Sequence, residues 1–189
     1  FNLRNCLLMA FAVVLFGCIP FVLWYAQAGE WVVQSYGQEA FDFRNPHFAE
    51  ALFSYRKGWF VYIPLMLIAV FGIYKMWKTE TFRAMSLVFF VIAIVFVTSS
   101  WWCWYYGMSF GQRALIDFYP LLALPLAFAL AKSKRLVAVL VSICVVFNLW
   151  RSYQHQAGIL PADEVTKEVF WSTLFSTQPY SKPVYDPAL

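Results

Sequence analysis

The sequence predicts an all-α integral membrane protein with about five transmembrane helices and amphipathic helices on its external surface. Three observations predict it. The 189 residues are 62% hydrophobic and only 13% charged, whereas a water-soluble domain carries about 25% charged residues. The apolar residues gather into five runs, near 6–26, 58–77, 82–99, 114–131 and 136–150; crossing a hydrocarbon core of about 30 Å takes roughly 20 such residues. The basic residues, finally, are sorted between the ends of those runs.

The first run, Cys6–Ala26, lacks an initiator Met upstream and a small-residue cleavage site before Gly29, so it reads as a span and not as a signal peptide. A chain beginning at Phe1 with a short polar stub reads as the C-terminal part of a longer protein. Runs two and three have spanning length. Run four, Ala114–Ala131, contains Pro120 and Pro125, which membrane helices tolerate when neighbours satisfy the freed carbonyls. Run five is short, but Lys134, Arg135 and Arg151 can snorkel and Ser152–Gln156 can extend it.

Arg4, Lys75, Lys78, Arg83, Lys132, Lys134 and Arg135 lie at the N-terminus and in two short loops, opposed there only by Glu80. By the positive-inside rule the N-terminus is cytoplasmic and the C-terminal tail external. The net charge of +4 therefore expresses topology, not nucleic-acid binding. The chain reads as one membrane unit over 1–189, with external segments 27–57, 100–113 and 151–189.

Those external segments carry the polar chemistry. In the first, Asn45-Pro46 reads as an N-cap followed by N1, and Phe48, Ala51, Leu52 and Tyr55 recur at helical spacing. That predicts a surface helix with His47, Glu50 and Ser54 on its polar side. In the second, Trp101, Trp102, Trp104, Tyr105 and Tyr106 form an aromatic belt, and Ser109 with Gln112 reads as a capping box. Arg113 then falls in the first turn of a helix and Asp117 one turn deeper. An ionisable pair at a membrane boundary that gains little from its own helix points to something across from it: a phosphate, a sugar hydroxyl, or an ion pair locking two helices. In the tail, Asp163–Phe175 reads as another surface helix, and Pro179, Pro183 and Pro187 favour an extended end.

Arg56, Lys57 and Arg151 lie at the external interface, placed either to meet ordinary headgroups or to bind the phosphate of a lipid-linked substrate. Asp42, His47 and Glu50 form an acid/histidine cluster that matches no specific metal spacing, and His155 is a weaker candidate. Cys6, Cys18, Cys103 and Cys144 show neither a disulfide framework nor a ligand pattern. No Walker motif, nucleophile elbow, H-E-x-x-H or C-x-x-C is present. A cofactor is not evident, and a divalent metal has no motif behind it. A transporter would need more spans and a continuous polar pathway.

Three stretches taken together, FSYRKGWFVYIPLML (53–67), SSWWCWYYGMSFGQRALIDFYPLLALPLA (99–127) and FNLWRSYQHQAGIL followed by VTKEVFW, resemble the C-terminal membrane region of bacterial GT-C superfamily glycosyltransferases. These are the relatives of protein O-mannosyltransferases and of aminoarabinose transferases acting on lipid A. The resemblance covers most of 45–171, and its distinctive part is the Trp-rich loop running into S-F-G-Q-R-A-x-I-D. It implies a bacterial inner-membrane location, a polyprenyl-phosphate sugar donor and transfer at the external face, with a catalytic acidic residue in a first external loop that lies outside this chain. No catalytic residue is therefore assigned here, and Asp42 does not inherit the role. Arg113, Asp117, Lys57 and Gln112 are the expected substrate-binding residues. The alternative expectation is a non-catalytic accessory subunit of a larger membrane complex. The expected partners are membrane lipids, a lipid-linked sugar and, under the alternative, other subunits.

Overall fold

The computed structural model describes residues 2–33, 39–132 and 134–181. Among them the chain is all-helical, and the extended pairing is confined to an isolated bridge between Phe41 and Trp101. Pro183, Pro187 and the side chains of Lys132 and Lys134 lie outside what is described. Contacts divide the chain into two compact units, 1–40 and 41–189, where composition marks no boundary.

The first unit holds α1 (Leu3–Gly17) and α2 (Ile19–Ala28). Asn2 caps α1 by accepting from the Arg4 N–H at 3.3 Å. The helix breaks at Cys18, and Pro20 enters the first turn of α2, where a missing N–H forfeits no helical bond. Neither helix holds a buried residue. Taken together, Leu3–Ala28 is long and apolar enough to cross a membrane.

The second unit contains α3 (Phe48–Phe53), α4 (Trp59–Tyr62), α5 (Leu65–Trp77), α6 (Thr81–Ser99), a 3-10 helix (Arg113–Phe118), α7 (Tyr119–Lys132), α8 (Lys134–Gln156) and α9 (Lys167–Ser172). Helices α5 and α7 run parallel. Trp59 Nε1 donates to Tyr119 Oη at one end, and Lys75 Nζ donates to the Ala129 carbonyl at the other. Helix α6 returns beside α5, packing Ala84 against Ile73 and Met76. Helix α8 is antiparallel to α5, with Asn148 Nδ2 donating to the Tyr62 carbonyl at 3.0 Å. Small residues let these backbones approach: Ala69, Ala84 and Ala129 are fully buried, and at Gly72 a Cβ would overlap the Pro125 carbonyl.

Three helical segments of this unit, Thr81–Ser99, Arg113–Ala131 and Arg135–Gln156, are also long and apolar enough to cross a membrane. Their outward faces stay apolar, with Phe89, Ile92, Ile143 and Val146 exposed. Surfaces of that kind mark contact with lipid or protein. The second apolar run differs from the expected continuous helix. Pro64 has no N–H to donate, so the run splits into α4 and a 13-residue α5. At 1.5 Å per residue α5 is about 20 Å long, short of the hydrocarbon thickness. Among the described residues, four helical segments of spanning length plus one shorter apolar helix therefore stand where five spans were expected.

Two expected helix starts are also displaced. Helix α3 begins at Phe48 with His47 in the cap position and no side-chain cap. The His47 N–H is held by the Ser99 carbonyl at 2.9 Å, and the Asp42 N–H by that of Ser100 at 2.7 Å. These anchors to the end of α6 outweigh the Asn45-Pro46 signal. Within 163–175, where a helix was expected, helix is confined to α9, which Thr166 caps by accepting from the Val169 N–H.

Candidate functional site

A set of buried polar side chains of the second unit converges at the end where α5 and α7 begin and α6 and α8 finish. Three pieces of chain meet there: the turn after α3, the loop 100–112, and the strap 157–176 that follows α8.

Arg56 and Lys57 leave α3 side by side. Gly58 makes this possible, because a Cβ there would strike the Ser54 backbone. The Arg56 guanidinium makes a two-pronged pair with Asp163, Nε to Oδ1 at 2.7 Å and a terminal nitrogen to Oδ2 at 2.9 Å. It also lies over the Tyr105 ring, 3.4 Å from the centroid. The paired guanidinium holds the Asp163 carboxyl below the usual carboxylate range. One residue thus ties together the α3 turn, the loop and the strap.

Lys57 is 2% exposed. Its ammonium donates to the carbonyls of Ser109 in the loop and Ala162 in the strap. Burial lowers its pKa from 10.5 to about 8. Between those two values the unfolded chain holds a proton that the folded chain has released, so stability rises with pH across that window. Replacing Lys57 with Met removes this rise. Thermal unfolding of both proteins between pH 7 and pH 10.5 checks it, and parallel profiles would refute it.

Gln112 is buried as well, donating from Nε2 to the Trp104 carbonyl at 3.0 Å, while its Oε1 has no partner. The expected capping box is absent. Ser109 Oγ donates to the Tyr106 carbonyl, and Gln112 occupies the cap position with no side-chain cap. Folding the loop back under itself takes both side chains for internal bonds.

Arg113 and Asp117 lie on the surface. They share a 3-10 helix, in which residues i and i+3 eclipse. At i, i+4 the two side chains therefore point about 120° apart. Among the described residues neither makes an ion pair. The structure thus gathers Lys57 and Gln112 beneath the loop and leaves Arg113 and Asp117 facing outward.

A second polar cluster closes the strap. Arg151 is fully buried and donates to Gln154 Oε1 at 2.6 Å, to Thr173 Oγ1 and to the Phe170 carbonyl. Gln154 Nε2 donates to the carbonyls of Thr173, Leu174 and Ser176. Sequence reasoning singled out Arg151 as an interface cation and missed Gln154, Asp163 and Thr173. The available signal was the R-x-x-Q spacing at the end of run five, which puts both groups on one helix face.

The acid/histidine cluster is loose. His47 Nδ1 lies 4.0 Å from Glu50, and Asp42 accepts from the Arg44 N–H. Among the described residues no three His, Cys, Asp or Glu side chains gather to hold a metal ion. No protein-family model, curated protein or solved structure matches this chain.

Proposed function

We propose that this chain is the C-terminal membrane portion of a glycosyltransferase that moves a sugar from a polyprenyl-phosphate donor to an acceptor at the external membrane face. In this reading Arg113 meets the lipid phosphate and steadies the charge that develops as the sugar leaves. Asp117 receives a hydroxyl donor, and the acid that activates the acceptor lies outside the chain. The observation that carries the reading is how the cations at this end are used. Arg56, Lys57 and Arg151 are bound into the scaffold, whereas Arg113 is exposed and, among the described residues, makes no ion pair. A guanidinium suits a phosphate because its donors form a planar, permanently charged fork.

Replacing Arg113 with Ala in the complete protein is expected to lower sugar transfer by about 10- to 100-fold, the worth of a charge-assisted contact. The yield of folded protein should stay within about twofold, since an exposed substitution costs little stability. Equal losses of yield and transfer would assign Arg113 a structural role instead. The accessory-subunit reading draws on α1 and α2, which hold no buried residue and offer an apolar rod to partner helices.

A further inference from the structure

Along one face of α8 run two apolar grooves. One, of about 440 Å³, is lined by Tyr55, Pro64, Ile143, Phe147, Phe170 and Trp171, among others. The second, of about 560 Å³, is lined by Val146, Trp150, Leu174 and Phe175 and shares Ile143 and Phe147 with the first. Together they form a continuous furrow leading from the middle of α8 to the strap and α9. Helix α8 is long and apolar enough to cross a membrane, so the furrow lies at hydrocarbon depth if α8 spans. Its strap end carries Trp171, whose Nε1 donates to Tyr55 Oη, and Trp150, whose Nε1 donates to the Leu174 carbonyl. Amphipathic rings with polar edges of this kind sit at the headgroup level.

Charge singles out one kind of occupant. Ile143, Phe147 and Arg151 follow one another at i, i+4 spacing and so form a single stripe, which turns from apolar to cationic at its strap end. The Arg151 guanidinium lies 4.3 Å from the centroid of Phe170, itself a furrow wall. It is fully buried, and among the described residues its partners are an amide, a hydroxyl and a carbonyl, with no carboxylate to balance it. A buried cation without a counter-charge exerts its field over a long distance through a low-dielectric wall. Lys167 is exposed one turn before Trp171, on the same side of α9. Glu168 follows it about 100° away around the helix.

We propose that the furrow holds one anionic phospholipid of the bilayer, with an acyl chain against Ile143 and Phe147 and its phosphate at the Lys167 end, within the field of Arg151. This lipid is distinct from the sugar donor, and the proposal stands whether or not the chain takes part in transfer.

The test is native mass spectrometry of the whole protein, extracted from nanodiscs containing equal amounts of phosphatidylcholine and phosphatidylglycerol. The expected result is one retained phosphatidylglycerol. Ile143→Trp, at a position 59% exposed and so harmless to packing, should fill the furrow and abolish retention. Lys167→Gln should reduce the preference for phosphatidylglycerol by about fivefold, the effect of one lysine near a headgroup. No retained lipid, equal retention of both lipids, or retention unchanged in Ile143→Trp would overturn the proposal. Protein taken from native membranes carrying a polyprenyl phosphate in place of the phospholipid would overturn it equally.

Discussion

Gly72→Ala is expected to destabilise the second unit more than any other single-methyl addition within α5. The new Cβ would overlap the carbonyl of Pro125, and backbone cannot rotate aside as a side chain does. Inserting a methyl into such a contact costs about 1–3 kcal/mol, with the upper end expected where both neighbours are backbone. The approach is close because two local features coincide. Gly72 has no side chain, and α7 turns its Pro125 turn toward it, with Ala129 and the Lys75 ammonium one turn further on. Gly17→Ala supplies the control, since nothing lies within 4 Å of a Cβ there and alanine favours helix by up to about 1 kcal/mol. Thermal unfolding in one detergent should separate the variants, with Gly72→Ala melting lower and Gly17→Ala unchanged or higher. Equal melting temperatures would mean that α5 and α7 do not pack this closely.

Gln154→Ala is expected to release the strap. The amide is fully buried and serves four groups: it accepts from Arg151 and donates to the carbonyls of Thr173, Leu174 and Ser176, while its neighbour Trp150 holds Leu174 from the other side. Truncation takes the 2.6 Å acceptor from a buried cation and the amide donor from the carbonyls of Thr173 and Ser176. Each buried group so orphaned costs about 1–3 kcal/mol, and a charged one more. The Arg56–Asp163 pair anchors the strap at its other end, so the expected outcome is local opening near 170–176 and not global unfolding. Limited proteolysis reads this directly. New cleavage in 170–181 with α8 intact is the expected pattern, and unchanged resistance would show that the apolar contacts of Phe170 and Val165 suffice.

The helices were legible in the sequence where one property averages over many residues. The runs at 6–26, 82–99, 114–131 and 136–150 each fall within a helical segment of spanning length, and the extension through Ser152–Gln156 expected for the last is present. Where a single residue decides, the reading failed. Pro64 splits the second run. Asn45 loses its cap because Ser99 and Ser100 hold the approaching chain. Ser109 and Gln112 satisfy loop carbonyls in place of a helix start. Capping signals describe what a segment prefers when nothing else competes for its donors, and at each of these points something did.

By itself the sequence determined a helical, apolar chain with its aromatic and polar chemistry gathered in a few connecting segments, because hydropathy and helical periodicity are local sums over about 20 residues. Only the tertiary structure decided which charges are committed and which are free. Arg56 and Asp163 are separated by 107 positions, Lys57 and Ala162 by 105. The packing of α8 against α5 brings the strap to the α3 turn, and with it these partners. Arg113 and Asp117, neighbours by spacing, are parted by the tighter winding of a 3-10 turn. Long-range pairing and the local pitch of the backbone depend on what the rest of the chain packs against, and no window of sequence contains that information.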